Sequence, residues 1–533
     1  MAGGQACAKR GTGLRTWAAS AVEQKATSDG TTADDVRIAR RPEESAATPY
    51  DLVVIGGGIY GVALAFEASR RGYRAVLLER GDFGGGTSWS SLRIIHGDLR
   101  YLQSLDLRRF RESVAERRWF LRHFPDLVRP LPCLMPLHGH GLKRPGFLRL
   151  ALAANDLLGL HRNRGLAPQV RLPRGRILSA RETSQLFPQV RQPGLRGGAL
   201  WYDAVMLSSE RVLMELLGWA CRCGATALNY MEVERVVIED GKCAGVEARD
   251  RVADRAHRFR APRVVNAAGP QVRLLARRTD RDLPILFRPT LAFNLLLDRP
   301  PLAEVAVAVQ PPQQGGQVYF VLPWQGRFLA GTFYAALPEH TLEPNVPEDQ
   351  VRRFLDDLNA AVPGLDLAPG DVIQVYAGLL PGHRPGTTEL ATQAIVHDHG
   401  LNGGPRGLYS VSGIKFTTAR LVAEVTLRTV FGRELRPARN APERPRPLVD
   451  LTDQTLLSTA APFAGEASAI ETLMRRIVRE EAVMHAEDLL LRRLESAGVL
   501  VDRARASDVV RRALAPLTPD LAAFERSASP PVS

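Results

Sequence analysis

The stretch Pro49–Phe83, PYDLVVIGGGIYGVALAFEASRRGYRAVLLERGDF, decides how the chain begins to fold. Leu52 to Ile55 is a short apolar run of strand type, cut off by Gly56. Ile59, Val62, Ala63 and Phe66 then recur at helical spacing as far as Gly72, and Ala75 to Leu78 is a second apolar run ending at Glu79. Strand, helix and strand in this order predict a βαβ unit. Gly56, Gly58 and Gly61 have separate tasks at its first junction: a tight turn, close approach of backbone to a pyrophosphate, and tight packing of helix on strand. The amides at the helix start, and the positive end of its dipole, suit phosphate groups. Glu79, eighteen residues after Gly61, is placed to accept the hydroxyls of an adenosine ribose. The unit reads as a dinucleotide site, for NAD or FAD alike.

The 533 residues are 45% hydrophobic and 24% charged, the balance of an ordinary globular protein with several packed regions. The net charge of +13 is carried by arginine, since only five lysines occur: Lys9, Lys25, Lys143, Lys242 and Lys415. Much of it is local, with sixteen basic against six acidic residues between Asp98 and Arg176. That excess is a solvated face, or an attraction to anionic lipid headgroups, or to an anionic substrate. No nucleic-acid recognition module appears, so nucleic acid is not an expected partner. The five cysteines are scattered, and Cys221-x-Cys223 has no second ligand pair near it, so no metal site is expected. Reduced thiols fit a cytoplasmic protein, free or peripheral on the inner face of the membrane. No apolar run is long enough to span a bilayer.

After Glu79 the α/β alternation of NAD enzymes does not continue; RGDFGGGTSWSSLRIIHGDLRYL, residues 80–102, leads into a helical, arginine-rich region. Far downstream, RVVNAAGPQV breaks an apolar strand into Ala267, Ala268 and Gly269, where small residues let a flat ligand lie against backbone. A third station is GLYSVSGIKFTTARLVAEVTL, a strand followed by Gly413 and a helix start carrying Lys415, Thr417 and Thr418.

These stations, in this order, resemble the FAD-dependent glycerol-3-phosphate dehydrogenase family within the wider glycine and D-amino acid oxidase group. TSWSSLRIIHGDLRYL is similar to the family's TSSxSSKxIHGGxRYL, GQVYFVLPWQGRFLAGTFY (Gly316–Tyr334) to FxIPWxxxxxxGTTD, and VSGIKFTTAR to xxGGKxTTYR. REEAVMHAEDLLLRRLESAGV is similar to the acidic helix of its terminal domain. The resemblance covers roughly residues 49–500. It implies an FAD cofactor with Thr87, Ser88 and Ser91 near the flavin and pyrophosphate, and Arg100 and Tyr101 facing substrate. The implied reaction is hydride transfer from a carbon bearing OH or NH₂ to flavin, with electrons passed to quinone or dioxygen. His397, then Tyr101 and Lys415, are the candidate bases, while His96 is read as orienting backbone.

Departures from the family pattern fall around the substrate. YAGLLPG carries Leu380 where the family's YSGxRPL has arginine, and QAIVHDH carries His397 in place of another. A family histidine is matched by Leu291, with Arg288 close by, while Asp98 replaces a glycine and Arg93 a lysine. Leucine for arginine replaces a permanently charged, bidentate clamp with hydrocarbon. Arg100, Lys415 and Arg384 remain as anion contacts. The expectation is a small, less anionic hydroxy or amino compound; the alternatives are a flavin-binding scaffold without turnover and an NAD-dependent dehydrogenase.

The fold class expected is α/β (α+β overall): a Rossmann-like FAD-binding domain, an antiparallel-sheet substrate domain and a small helical C-terminal domain. FAD-binding segments are placed at about 49–130, 175–285 and 395–440, and the substrate sheet at about 286–394. Residues 1–48 read as a disordered leader, 441–449 within a Pro-rich stretch as a linker, 450–519 as the helical domain and 520–533 as a disordered tail. Arg144–Gly165 is a basic-flanked amphipathic stretch, either a core helix or one lying on a membrane surface.

Overall fold

The Leu52–Ile55 strand is buried along its whole length, as its unbroken apolar run requires of a strand covered on both faces. The computed structural model describes residues 37–97, 106–138, 161–312, 316–439, 441–445 and 467–494, with Leu152 and Gly159. In it this strand lies inside a six-stranded sheet. Ala75–Leu78 and Val264–Asn266 flank it in parallel, Thr226–Leu228 and Leu408–Ser412 come next, and Ile395–Asp398 closes one edge antiparallel. The sheet is therefore a Rossmann-type layer assembled from segments more than three hundred residues apart. The helix Ile59–Ser69 is apolar nearly all round because both sides are covered: Ser209–Arg222 and Ala419–Phe431 pack on it as well. Ser208 starts the first of these, its Oγ accepting from the Arg211 amide at 3.0 Å.

A three-stranded antiparallel sheet, Met231–Glu239, Lys242–Asp250 and Arg255–Arg260, lays Val233, Val236, Val246 and Phe259 against Val53, Val76 and Val264. A larger sheet runs in the order Val372–Pro381, Pro289–Leu297, Arg327–Ala336, Tyr319–Trp324, Ala306–Val309, Val128–Leu137, Gly197–Met206 and Ile94–Ile95, with Arg176–Leu178 paired to the Gly197–Met206 strand. Only the pairing of Ala306–Val309 with Val128–Leu137 is parallel. Four of its strands come from outside the 286–394 stretch on which the sequence centred the substrate sheet. In Val128–Leu137 the alternation is interrupted by Pro130, Pro132 and Pro136, which hid its period of two.

Strand alternation gives this sheet two distinct faces. Leu291, Phe293, Leu295 and Leu297 point into a core closed by the helix Glu348–Ala361. There the Phe354 ring lies 4.8 Å from Tyr319, 5.4 Å from Phe333 and 5.8 Å from Phe293. Asn294 points the other way and donates to the Ser90 carbonyl at 2.8 Å.

At the C-terminal end, Met474, Ile477, Val478 and Leu489 join the same core as Phe66 and Leu213, so the described residues 467–494 share a core with the dinucleotide helix. No helix among the described residues is long and apolar enough to cross a membrane. Residues 1–36, 446–466, the chain beyond 494 and most of Arg144–Gly165 lie outside the described residues. The end of the expected leader is ordered, however: Ile38 is buried, Arg37 pairs with Glu215, and Pro42–Ala47 forms a short helix. Phe354→Ala should lower stability by about 3–5 kcal/mol, since a fully buried ring leaves a cavity between helix and sheet; a melting temperature equal to that of the wild type would contradict this packing.

Candidate active site

The turn between the first strand and its helix is closed by backbone crowding. Gly56 has φ +104°, and a Cβ there would lie 2.6 Å from the Ala267 carbonyl oxygen. At Gly61 a Cβ would run into the carbonyl oxygen of Gly56. Glu79 closes the turn from the second strand, its carboxylate accepting from the Gly57 amide at 2.6 Å and the Gly81 amide at 2.8 Å. Burial pushes this carboxyl up, and the two amides oppose that rise. Ser88 reaches back to the helix start, where its Oγ accepts from the Ile59 amide at 3.0 Å. The first turn of this helix carries no acidic side chain, which leaves its positive end uncompensated.

Residues 87–97 run from this turn across the sheet face turned away from the Glu348–Ala361 helix. Thr87 donates to the Leu379 carbonyl at 3.1 Å and packs where a Cβ on Gly378 would stand. Ser91 Oγ accepts from the Arg93 amide at 3.2 Å. Arg93 is buried with its guanidinium 4.7 Å from the Trp324 ring and 5.5 Å from Tyr376. His96 then meets Asp203, with Nδ1 3.3 Å from Oδ2, and its ring lies 5.4 Å from Phe320. Asp203 is buried and multiply bonded, accepting from the Gly97 amide at 2.6 Å, Arg117 Nη1 at 2.6 Å and Trp201 Nε1 at 3.3 Å. Burial alone would raise this carboxyl; His96, Arg117 and the Gly97 amide together hold it well below the usual carboxylate range. The His96 side chain remains 34% exposed, so the pair is anchored on its inner side and open on its outer one.

A third wall is the end of the Leu408–Ser412 strand. Tyr60, in the first turn of the dinucleotide helix, lays its ring where a Cβ on Gly413 would be. Its hydroxyl donates to the Lys415 carbonyl at 2.8 Å and lies 3.0 Å from the Lys415 amide. Lys415 thus stands beside the glycine turn, with Thr417 buried just beyond it. Ala268 donates to Asn266 Oδ1 at 3.3 Å and leads into Gly269, whose φ is +55°. Gly56, Gly58, Gly61, Glu79 and Ser88 are brought together directly, and Ala268 and Gly413 follow strands of the same sheet at the same end. This carboxyl-end edge is where open α/β sheets take their ligands.

His397 stands elsewhere in its surroundings. It lies on the edge strand opposite Ser410, its ring 4.7 Å from His399, and that ring is held by Asp280 and Ser410, each at 2.9 Å. Burial and the neighbouring His399 push its imidazole below the usual range. Arg100, Tyr101 and Asp98 lie outside the described residues. Leu291 points into the core beneath the helix, so it does not stand on the face that carries Asn294, whereas Leu380 shares that face with Gly378 and Tyr376. The sequence did not single out Asp203 or Tyr60. Asp203 sits in the unremarkable run GALWYDAVM, more than a hundred residues from its partner, and no local signal joins them.

These residues fit an FAD. Two buried hydroxyls at this end of the fold, Ser90 Oγ and Ser412 Oγ, have no hydrogen-bond partner among the described residues, and Ser412 directly precedes Gly413. The family model for FAD dependent oxidoreductases matches residues 51–428. Glycerol-3-phosphate dehydrogenase 1 of Mycobacterium tuberculosis is 32% identical over 477 residues, covering 86% of each chain. Glycerol-3-phosphate dehydrogenase of Synechocystis sp. is 30% identical over 416 residues, covering 75% of this chain and 73% of its own. Among solved structures, the glycerol-3-phosphate dehydrogenase of Bacillus halodurans complexed with FAD superposes with a TM-score of 0.67 at 22% identity, over 91% of this chain and 95% of that one. Gly61→Ala should purify without the flavin absorption band, since its methyl group meets the Gly56 carbonyl; full flavin content in that variant would refute the turn's role.

Proposed function

Because the chain belongs to the FAD dependent oxidoreductase family, in its glycerol-3-phosphate dehydrogenase branch, we propose that it oxidises the hydroxyl of a small alcohol less anionic than glycerol 3-phosphate. The observation that carries the chemistry is the His96–Asp203 pair on the sheet face that residues 87–97 cross. Bound FAD supplies the acceptor for the substrate's hydride, with a quinone or dioxygen as the final oxidant. The glycine turn at 56–61 and the Ile59 amide end would hold the pyrophosphate, Glu79 the ribose, and Ala268, Gly269 and Gly413–Lys415 the ring end.

Oxidation of an alcohol to a carbonyl releases a hydride from carbon and a proton from oxygen. His96 is the proton acceptor: its Nδ1 is engaged by Asp203, which fixes the ring and assigns the substrate hydroxyl's proton to Nε2 of a side chain that stays 34% exposed. Asp203 stays ionised beside Arg117, so it stabilises the imidazolium that forms without taking its proton. His397, on the edge strand beside His399, is not given this proton.

The less anionic substrate is inferred from Leu380, an apolar side chain on the site face where the related pattern has arginine. Arg384 and Lys415 remain to meet partial negative charge. Under anaerobic conditions, short uncharged diols should bleach the flavin at lower concentration than glycerol 3-phosphate; preferred, rapid bleaching by glycerol 3-phosphate would reject the altered substrate. His96→Gln should slow that bleaching by about 10²–10⁴-fold with flavin content unchanged, and an unaltered rate would remove His96 from the reaction.

A further inference from the structure

A chain of buried ion pairs runs from the C-terminal segment to the loop that ends the dinucleotide unit. Asp82 stands three residues after Glu79 and its side chain is wholly buried. It accepts from Arg493 Nη1 at 2.8 Å and Nη2 at 3.0 Å, from Arg492 Nε at 2.8 Å and from Asn229 Nδ2 at 3.1 Å. Arg493 also donates to the Glu481 carbonyl at 3.3 Å, and Arg492 to Asp488 at 2.9 Å. The Glu481 carboxylate accepts from Arg211 at 2.8 Å and Arg37 at 3.2 Å, and both of those arginines pair with Glu215 as well. Arg37, Arg211, Arg492 and Arg493 thus meet Asp82, Glu215, Glu481 and Asp488 in one connected set, which Arg444 joins 3.7 Å from Glu215. Removing one member strands another charge away from water, so the set docks as a whole or not at all.

Asp82 shares a tight loop with the ribose-facing carboxylate. Gly81 donates to Glu79, Glu79 accepts from Gly57, and the Gly84 amide donates to the Gly57 carbonyl at 3.0 Å. Whatever fixes Asp82 therefore fixes the approach of Glu79 to the glycine turn. We propose that residues 477–494 are a positioning clasp for the cofactor: Arg492 and Arg493, acting through Asp82, set the Gly57–Glu79 contact, so docking of this segment and retention of FAD are one coupled equilibrium. The coupling is reciprocal, since FAD must favour the docked segment by the same factor that docking favours FAD. It does not depend on which alcohol the enzyme oxidises.

Deuterium exchange of the wild-type protein, with FAD bound and after its removal, reads the coupling without any substitution. Amides of residues 477–494 should exchange about 5–150-fold more slowly with FAD bound, and equal exchange in the two forms would overturn the clasp. Arg493→Met and Asp82→Asn should each speed FAD release, followed by the recovery of free-flavin fluorescence, by a similar factor. They should also narrow the gap in melting temperature between holo and apo protein. If Arg493→Met lowers both melting temperatures equally and releases FAD at the wild-type rate, the arginine is only structural and the proposal fails. Should that variant not fold, the exchange comparison on wild-type protein decides alone.

Discussion

The hydrogen bonds from the Gly57 and Gly81 amides to Glu79 tie the first strand, its helix and the second strand into one rigid corner. Everything the cofactor needs is arranged around that corner. Gly56 can pass under Ala267 only without a side chain, and Gly61 can approach Gly56 only for the same reason. A carboxylate whose burial would favour its neutral form is kept useful by two amides that favour its charge.

Beyond the corner, the protein separates two tasks by the two faces of one sheet. The face under Glu348–Ala361 is packed with aromatic and aliphatic side chains. The opposite face holds Asn294, Gly378, Leu380 and the His96–Asp203 pair. Packing on one side fixes the backbone from which the side chains of the other project, because successive residues of a strand alternate between the two faces. Leu291 and Leu380 illustrate the division: both replace polar residues of the related pattern, yet only Leu380 faces the site.

Much of this was legible in the chain. The βαβ unit, its glycines and Glu79 follow from local spacing, because the contacts of Gly61 with Gly56 and of Glu79 with Gly57 and Gly81 join neighbours along a strand–turn–helix path. The small-residue breaks at Ala268 and Gly413 were equally readable, since a flat ligand demands them. The His96–Asp203 pair was not, because it joins two strands that meet only through the register of Ile94–Ile95 with the Gly197–Met206 strand. Nor was the shared core of residues 467–494, where helical periodicity gave the helix but not the surface it covers. The prolines in Val128–Leu137 concealed a strand that pairs with its neighbour over its full length; on its other side it makes the one parallel pairing of the larger sheet, at Cys133 and Leu134.

The six-stranded sheet places Leu408–Ser412 beside Val264–Asn266, which itself lies beside Leu52–Ile55. A ribosome releases the first of these strands long before the last. Until the final partner emerges, the growing polypeptide presents an unpaired, apolar strand border of the kind that recruits chaperones and invites aggregation. Contacts spanning such distances also make folding slow, because loop closure precedes the gain from pairing. Yield of this enzyme in a heterologous host should therefore be governed by translation speed and temperature more than by the final stability of the folded molecule.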